Sequence, residues 1–448
     1  MKKILKMKFS HFLLSSLLLG SNLLVAQTNK IKFTEYDMPN GLHVILHEDH
    51  STPIVAVTVM YHVGSKNEDP KRTGFAHFFE HLMFEGSDNI KRGEYMKLIQ
   101  NAGGEINANT SFDRTFYYEV LPTNQLELAL WMESERMLHS KIDSIGVETQ
   151  RKVVKEELKE RYDNTPYGSI ENEAFGHAFT IHPYHWTPGG SAEYINKAAL
   201  QEFIDFYKTF YVPNNATLTI AGDINPGQTK KLIGNYFDGI PKSERPIPRS
   251  TAVEPQKTAE VRDTVYDNIQ LPGVIMAYHS PAQGMPDYYA VNMLATLLSQ
   301  GKSSRMQKSI VDKQQKAVAA GAFPIPSEDP GLILMYGIVN MGVNPAELEA
   351  AMDKEFEKVK NELISEEEFQ KLRNQIENDF VTANSKMVGI AESLSNYYVF
   401  FKDTDLINTE MERYNRVTPA VIKNAARNYL TKENRVVLYY LPKQQTKN

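Results

Sequence analysis

Cysteine is absent from the 448 residues. No disulfide, thiolate metal site, cysteine nucleophile or lipid-bearing N-terminal cysteine is available, so a metal must be held by histidine and carboxylate. Basic charge is in short supply: 49 Lys and Arg face 55 Asp and Glu, a formal net charge of -6. No global positive field therefore draws the chain onto nucleic acid. Gly-rich phosphate loops are missing, and after Ala26 no apolar run approaches the roughly 18 residues of a membrane span. What remains, 42% hydrophobic and 23% charged, is ordinary globular composition long enough for two or more domains. It excludes a disordered, collagenous or coiled-coil chain.

Residues 1–26 stand apart. Lys2, Lys3, Lys6 and Lys8 precede an apolar stretch from Phe12 to Ala26, the charged and apolar regions of a signal peptide. Ser15, Ser16, Ser21 and Asn22 interrupt the stretch, which favours a cleaved leader over an uncleaved anchor. An exported, periplasmic chain is expected, with secretion or anchoring as the alternatives. Loss of the four lysines takes the formal charge from -6 to -10.

Residues 241–256, PKSERPIPRSTAVEPQ, carry four prolines and suit neither helix nor central strand. They read as a linker between domains 27–240 and 257–448, whose ends look alike. FIDFYKTFYVPNN precedes the strand ATLTIAGD, and IKNAARNYLTKEN precedes RVVLYYLP, with Tyr211 matching Tyr429 and Asn215 matching Asn434. Both halves also open on period-2 strand patterns, as an internal duplication requires. Within the first half, Leu42–Leu46 and Ile54–Val63 read as antiparallel strands around a turn with Ser51 and Pro53.

The run GFAHFFEHLMFEG, Gly74 to Gly86, predicts a helix that is apolar nearly all round except for His77, Glu80 and His81. At roughly 100° per residue these three share an arc of about 100°. Core histidines bonded to backbone carbonyls are the bland alternative, but chance produces H-x-x-E-H in such a chain only on the order of a few hundredths of the time. Two imidazoles at i and i+4 can grip one metal, with zinc the default, while the carboxylate between them is better placed to take a proton from water. A third ligand is needed. On the helix GVETQRKVVKEELKERYDNTP, Val147, Val153, Val154 and Leu158 form the expected apolar face. With Val153 at 0°, Glu157 falls inside that face at about 40°, while Glu156 and Glu160 fall at or beyond its edge. An unpartnered carboxylate there would be expensive, which makes Glu157 the candidate.

These residues resemble the inverted-motif zinc peptidases of the pitrilysin and insulinase family, specifically half-size members similar to mitochondrial processing peptidase. The signatures are the Gly74–Gly86 run, 75 residues between His81 and Glu157, the strand GGEINANT from Gly103 to Thr110, and HPY from His182 to Tyr184. The resemblance implies one Zn2+ per chain on His77, His81 and Glu157, with Glu80 as general base. It implies an α+β fold of two similar halves, each a mostly antiparallel sheet with helices, closing as a clamshell over an extended peptide. Asn107 and Ala108 match the family's peptide-binding strand, where main-chain hydrogen bonds hold substrate.

Two departures stand out. Where relatives often carry a glutamate supporting the metal shell, this chain has Gln150, which keeps hydrogen bonding but loses charge. After GKSSR, Gly301 to Arg305, the family's Arg and Tyr positions hold Val311 and Val318, which cannot stabilise charge on the attacked carbonyl. A heterodimer is therefore expected, in which a related subunit supplies that pair. The alternatives are a self-sufficient homodimeric enzyme that uses another tyrosine, such as Tyr397 or Tyr398, or a non-catalytic peptide-binding scaffold of the same fold. A hydrolase of small amides would use the same zinc chemistry. His43, His47, His50, His62 and His139 lack ligand spacing and receive no chemistry. Runs such as ISEEEF from Ile364 read as solvated helix faces with capping signals.

Overall fold

A computed structural model describes residues 30–443; the leader reading of residues 1–26 lies outside them. The period-2 runs of the first half form β1 Thr34–Asp37, β2 His43–Glu48, β3 Ile54–Tyr61, β4 Glu105–Thr110, β5 Thr115–Pro122 and β6 Ala216–Gly222. Their order in the sheet is β1-β2-β6-β3-β5-β4. The strands of Leu42–Leu46 and Ile54–Val63 run antiparallel, as expected, but are not neighbours. β6 lies between β2 and β3, parallel to the first and antiparallel to the second. All seven residues of ATLTIAG are buried, and a strand buried on both faces belongs inside a sheet, away from its edges.

The second half forms β7 Val261–Asp267, β8 Gly273–Ser280, β9 Ala317–Pro324, β10 Gly331–Val339 and β11 Arg435–Pro442. The order β7-β11-β8-β10-β9 repeats β2-β6-β3-β5-β4, including the parallel pairing of the last strand with the first. The likeness reaches single side chains. Asn215 donates to the Phe210 carbonyl and Asn434 to the Tyr429 carbonyl, each at 2.8 Å. The fold is thus α+β with two similar, mostly antiparallel sheets.

Each sheet lays one face on helices of its own half and the other on a helix from the opposite half. The Ile170–Ala178 helix places Ala174 and Phe175 against Ile275, Leu334 and Leu438 of the second sheet. The Met387–Phe401 helix places Val399 against Met60 and Phe116 of the first, where Ser395 and Thr219 share a hydroxyl hydrogen bond of 2.8 Å. Residues 241–256 contain neither helix nor strand. No described helix is long and apolar enough to cross a membrane.

Candidate metal centre

The helix Phe75–Leu82 follows Gly74, whose φ of +95° lies in the left-handed region. Its first N–H groups are taken by a buried side chain from an upstream loop: Glu68 accepts from the Gly74 and Ala76 N–H at 2.8 Å each, as an N-cap would. Burial nevertheless prevails over these bonds and pushes the Glu68 carboxyl up to about 8. Phe75 and Phe78 pack on Phe203, and Phe79 stacks on Phe206, which turns His77, Glu80 and His81 to the other side. Gly190 crosses here so closely that a Cβ on it would stand 2.1 Å from the Gly74 nitrogen.

The second helix, Ser144–Leu158, starts on the Asp143 side chain, which accepts from the Gly146 N–H at 2.8 Å. It buries Val147, Val154 and Leu158. Val153, expected on that face, is 46% exposed. The stripe centres on Val154 and Leu158, so Glu157 sits at its margin with a side chain 38% exposed. Beyond Leu158 the residues Lys159–Asn164 wind as a π-helix, a local widening often found at functional sites.

The two helices bring three donor atoms together. Nε2 of His77 lies 3.4 Å from Nε2 of His81 and 3.4 Å from Oε1 of Glu157, while Nε2 of His81 lies 3.0 Å from Oε2 of Glu157. A tetrahedral zinc with bonds of about 2.0–2.1 Å spaces its ligands at roughly 3.4 Å. The chemistry of the set fits as well: two imidazoles and a carboxylate, partly open to solvent at His81 and Glu157. The hydrogen bonds from His77 and then His81 hold the Glu157 carboxyl far below the usual carboxylate range. Among the described residues this is the one cluster of His, Asp and Glu with such convergence. Glu80 stays outside it. Its Oε2 accepts from the Thr110 hydroxyl at 2.6 Å, a tie between helix and β4 that helical spacing could not reveal.

The remaining candidates sit as follows. β4 pairs only with β5 and so leaves one edge free among the described strands. Asn107 is exposed there, its side-chain oxygen accepting from the Ala108 N–H at 2.9 Å, and Ala108 is 9% exposed. The Gln150 amide donates to Glu85 at 2.5 Å, and its described partner is therefore Glu85 rather than a residue of the histidine cluster. Val311 packs beside the second core, and Val318 is exposed on β9 at the end of the second sheet. Tyr397 donates to Glu410, and Tyr398 stacks on His43 with ring centroids 3.3 Å apart.

Residues 43–181 match the model of Insulinase (Peptidase family M16), and residues 197–376 match that of the Peptidase M16 inactive domain. Zinc protease PqqE of Helicobacter pylori is 32% identical over 401 residues, covering 87% of this chain and 90% of the relative. An uncharacterized zinc protease of Rickettsia bellii is 24% identical over 375 residues, covering 83% and 89%. The crystal structure of a protease from Helicobacter pylori superposes with a TM-score of 0.88 at 28% identity, over 92% of this chain and 100% of its own. The first half of the periplasmic protease PqqL from Escherichia coli shares the fold, with a TM-score of 0.72 at 19% identity over 92% of each chain. Matched in both halves, and along most of its length by a relative named as a zinc protease, this chain belongs to the insulinase family of peptidases, family M16.

Proposed function

We propose that the chain is an exported zinc-dependent endopeptidase hydrolysing extended peptides, and that it is the metal-bearing subunit of a heterodimer. The observation that carries this reading is the convergence of His77, His81 and Glu157 beside a carboxylate fastened to a free sheet edge. One zinc ion per chain, held by those three residues, would supply Lewis acidity toward the peptide carbonyl and acidify water near neutral pH. Glu80 takes the proton of the attacking water and returns it to the leaving amine. The free edge of β4 at Asn107 and Ala108 orients the peptide by main-chain hydrogen bonds, so selection rests on extended shape more than on one side chain. The relatives' names support zinc and proteolysis. The leader pattern of residues 1–26 supports export to the periplasm.

The heterodimer follows from Val311 and Val318. Neither offers a donor or a charge for the attacked carbonyl, while Tyr397 and Tyr398 are engaged with Glu410 and His43. A related chain bearing an Arg and a Tyr would complete the site. The test is cleavage of a pool of unstructured peptides by the zinc-loaded mature chain, alone and with its co-purifying subunit, beside Glu80→Gln. Cleavage that needs the subunit and disappears in Glu80→Gln is expected. Full activity of the chain alone would reject the heterodimer, and no cleavage in either form would reject the peptidase.

A further inference from the structure

β4 does two things at once. Its free edge is where the proposed function places the peptide, and its last residue, Thr110, donates to Oε2 of Glu80 at 2.6 Å. Among the described residues this is the carboxylate's one hydrogen bond. Glu80 is only half-buried, and with Oε2 engaged by Thr110 the other oxygen is left to receive a proton; Arg114 adds a charge–charge attraction to the same carboxylate.

The strand end that carries Thr110 is itself held. The adjacent Asn109 accepts through its side-chain oxygen from the Arg114 guanidinium, and Arg114 pairs with Glu392 on the Met387–Phe401 helix, which comes from the second half of the chain. Ser111 closes the turn between them, its hydroxyl accepting from the Asp113 and Arg114 N–H at 3.2 and 3.1 Å. The Arg114 guanidinium lies 5.2 Å from the centroid of the Phe116 ring, and its side chain is only 13% exposed. A continuous set of contacts therefore runs from the second half, through Glu392, Arg114 and Asn109, to Thr110 and Glu80.

We propose that Thr110 is the positioning residue for Glu80, and that the second half of the chain sets this position through the Glu392–Arg114–Asn109 bridge. The inference rests on the reading of Glu80 as the base. One rigid strand would then register both the bound peptide and the group that takes the proton, so the distance between them does not depend on a free side chain. Misplacement by about 1 Å costs roughly a hundred-fold in rate. That is the order of loss to expect when the strand no longer holds the base.

The experiment compares Thr110→Val, which keeps shape and removes the donor, with Thr110→Ser, which restores the donor, in the zinc-loaded assembly that cleaves peptide. Thr110→Val should lower kcat by about ten- to a hundred-fold, with KM within about two-fold and with zinc content and melting temperature unchanged; Thr110→Ser should recover most of the loss. In crystals, the Glu80 carboxylate should hold one orientation in wild type and Thr110→Ser and several in Thr110→Val. Glu392→Gln should lower kcat by several-fold alone and add nothing on top of Thr110→Val, the non-additivity expected of one connected set. Wild-type kcat in Thr110→Val, or no rescue by serine, would overturn the positioning role, and additive losses would overturn the bridge. These outcomes leave the peptidase reading intact if Glu80→Gln still abolishes cleavage. Failure of every zinc-loaded form to cleave would remove that reading and this one together.

Discussion

Arg136 offers the sharpest test of how the helix of His77 and His81 is held. Its side chain is 0% exposed, as are those of Glu119 and Glu133, with which it pairs. The guanidinium lies 5.0, 5.1 and 4.8 Å from the ring centroids of Phe84, Tyr95 and Tyr117, and its Nε donates to the Met83 carbonyl at 3.5 Å. Tyr117 in turn donates to the Phe79 carbonyl at 3.1 Å, so both contacts end on or just past the helix of His77 and His81. One cation serves two carboxylates. Burial first, then repulsion from Glu133, hold Glu119 well above the ordinary carboxylate range. Arg136→Met keeps most of the volume and leaves both buried carboxyls without their cation. Removing one partner of a buried pair costs about 3–5 kcal/mol, or roughly 3–6 °C of melting temperature in a chain of this size. Adding Glu133→Leu should recover most of the loss, because one of the two unpaired buried carboxyls is then replaced by an apolar group. The assay is thermal melting of both variants at pH 7, with zinc content measured in parallel. A loss below about 1 kcal/mol for Arg136→Met, or no recovery in the double variant, would refute the reasoning.

Other outcomes follow from named groups. Glu328 and Asp329 sit at about 2. For Glu328, burial opposes the charge but His62 and Lys66 prevail; for Asp329, the His182 hydrogen bond leads, with Lys66 adding to it. Their folded values lie below the unfolded ones, so their stabilisation is present above about pH 4.5 and lost as pH falls toward 2; Lys66→Met should flatten melting temperature against pH in that window. Glu68 has the opposite sign. Raised to about 8, it stabilises the fold below about pH 4.5 and loses that contribution as pH climbs through 8, a decline that Glu68→Gln should remove. Gly190→Ala drives a Cβ to 2.1 Å from the Gly74 nitrogen at a φ of +57°. Backbone cannot give as a side chain can, so a loss of about 1–3 kcal/mol in denaturant titration is expected, together with weaker zinc retention.

The convergence of His77, His81 and Glu157 was legible because helical spacing is local information: i, i+4 fixes His77 against His81, and an acidic residue near the apolar stripe marks Glu157. The repeat was legible from its two helix–strand endings. Thr110 bonded to Glu80, and Arg136 between Glu119 and Glu133, join residues whose approach depends on packing, which periodicity does not carry. The same limit hid the exchange of the Ile170–Ala178 and Met387–Phe401 helices, since an amphipathic pattern shows a buried face and not which sheet covers it. The strands of Leu42–Leu46 and Ile54–Val63 run antiparallel as read, but the insertion of β6 between them rests on a contact far apart in sequence. The all-buried run of β6 was the clue to it. Gln150 was read by its spacing from Glu157, whereas its amide reaches Glu85, which lies just past the end of the helix of His77 and His81.

The central claim is the metal site, and it can be tested without any substrate or partner. Zinc per chain would be measured by elemental analysis on purified wild type, Glu80→Gln and His81→Ala after dialysis against trace zinc. One ion per chain in the first two, and less than about a tenth of that in the third, is the expected result, because loss of one of three protein ligands leaves too few donors for a closed shell. Wild type without zinc, or His81→Ala holding as much zinc as wild type, would contradict the assignment of His77, His81 and Glu157.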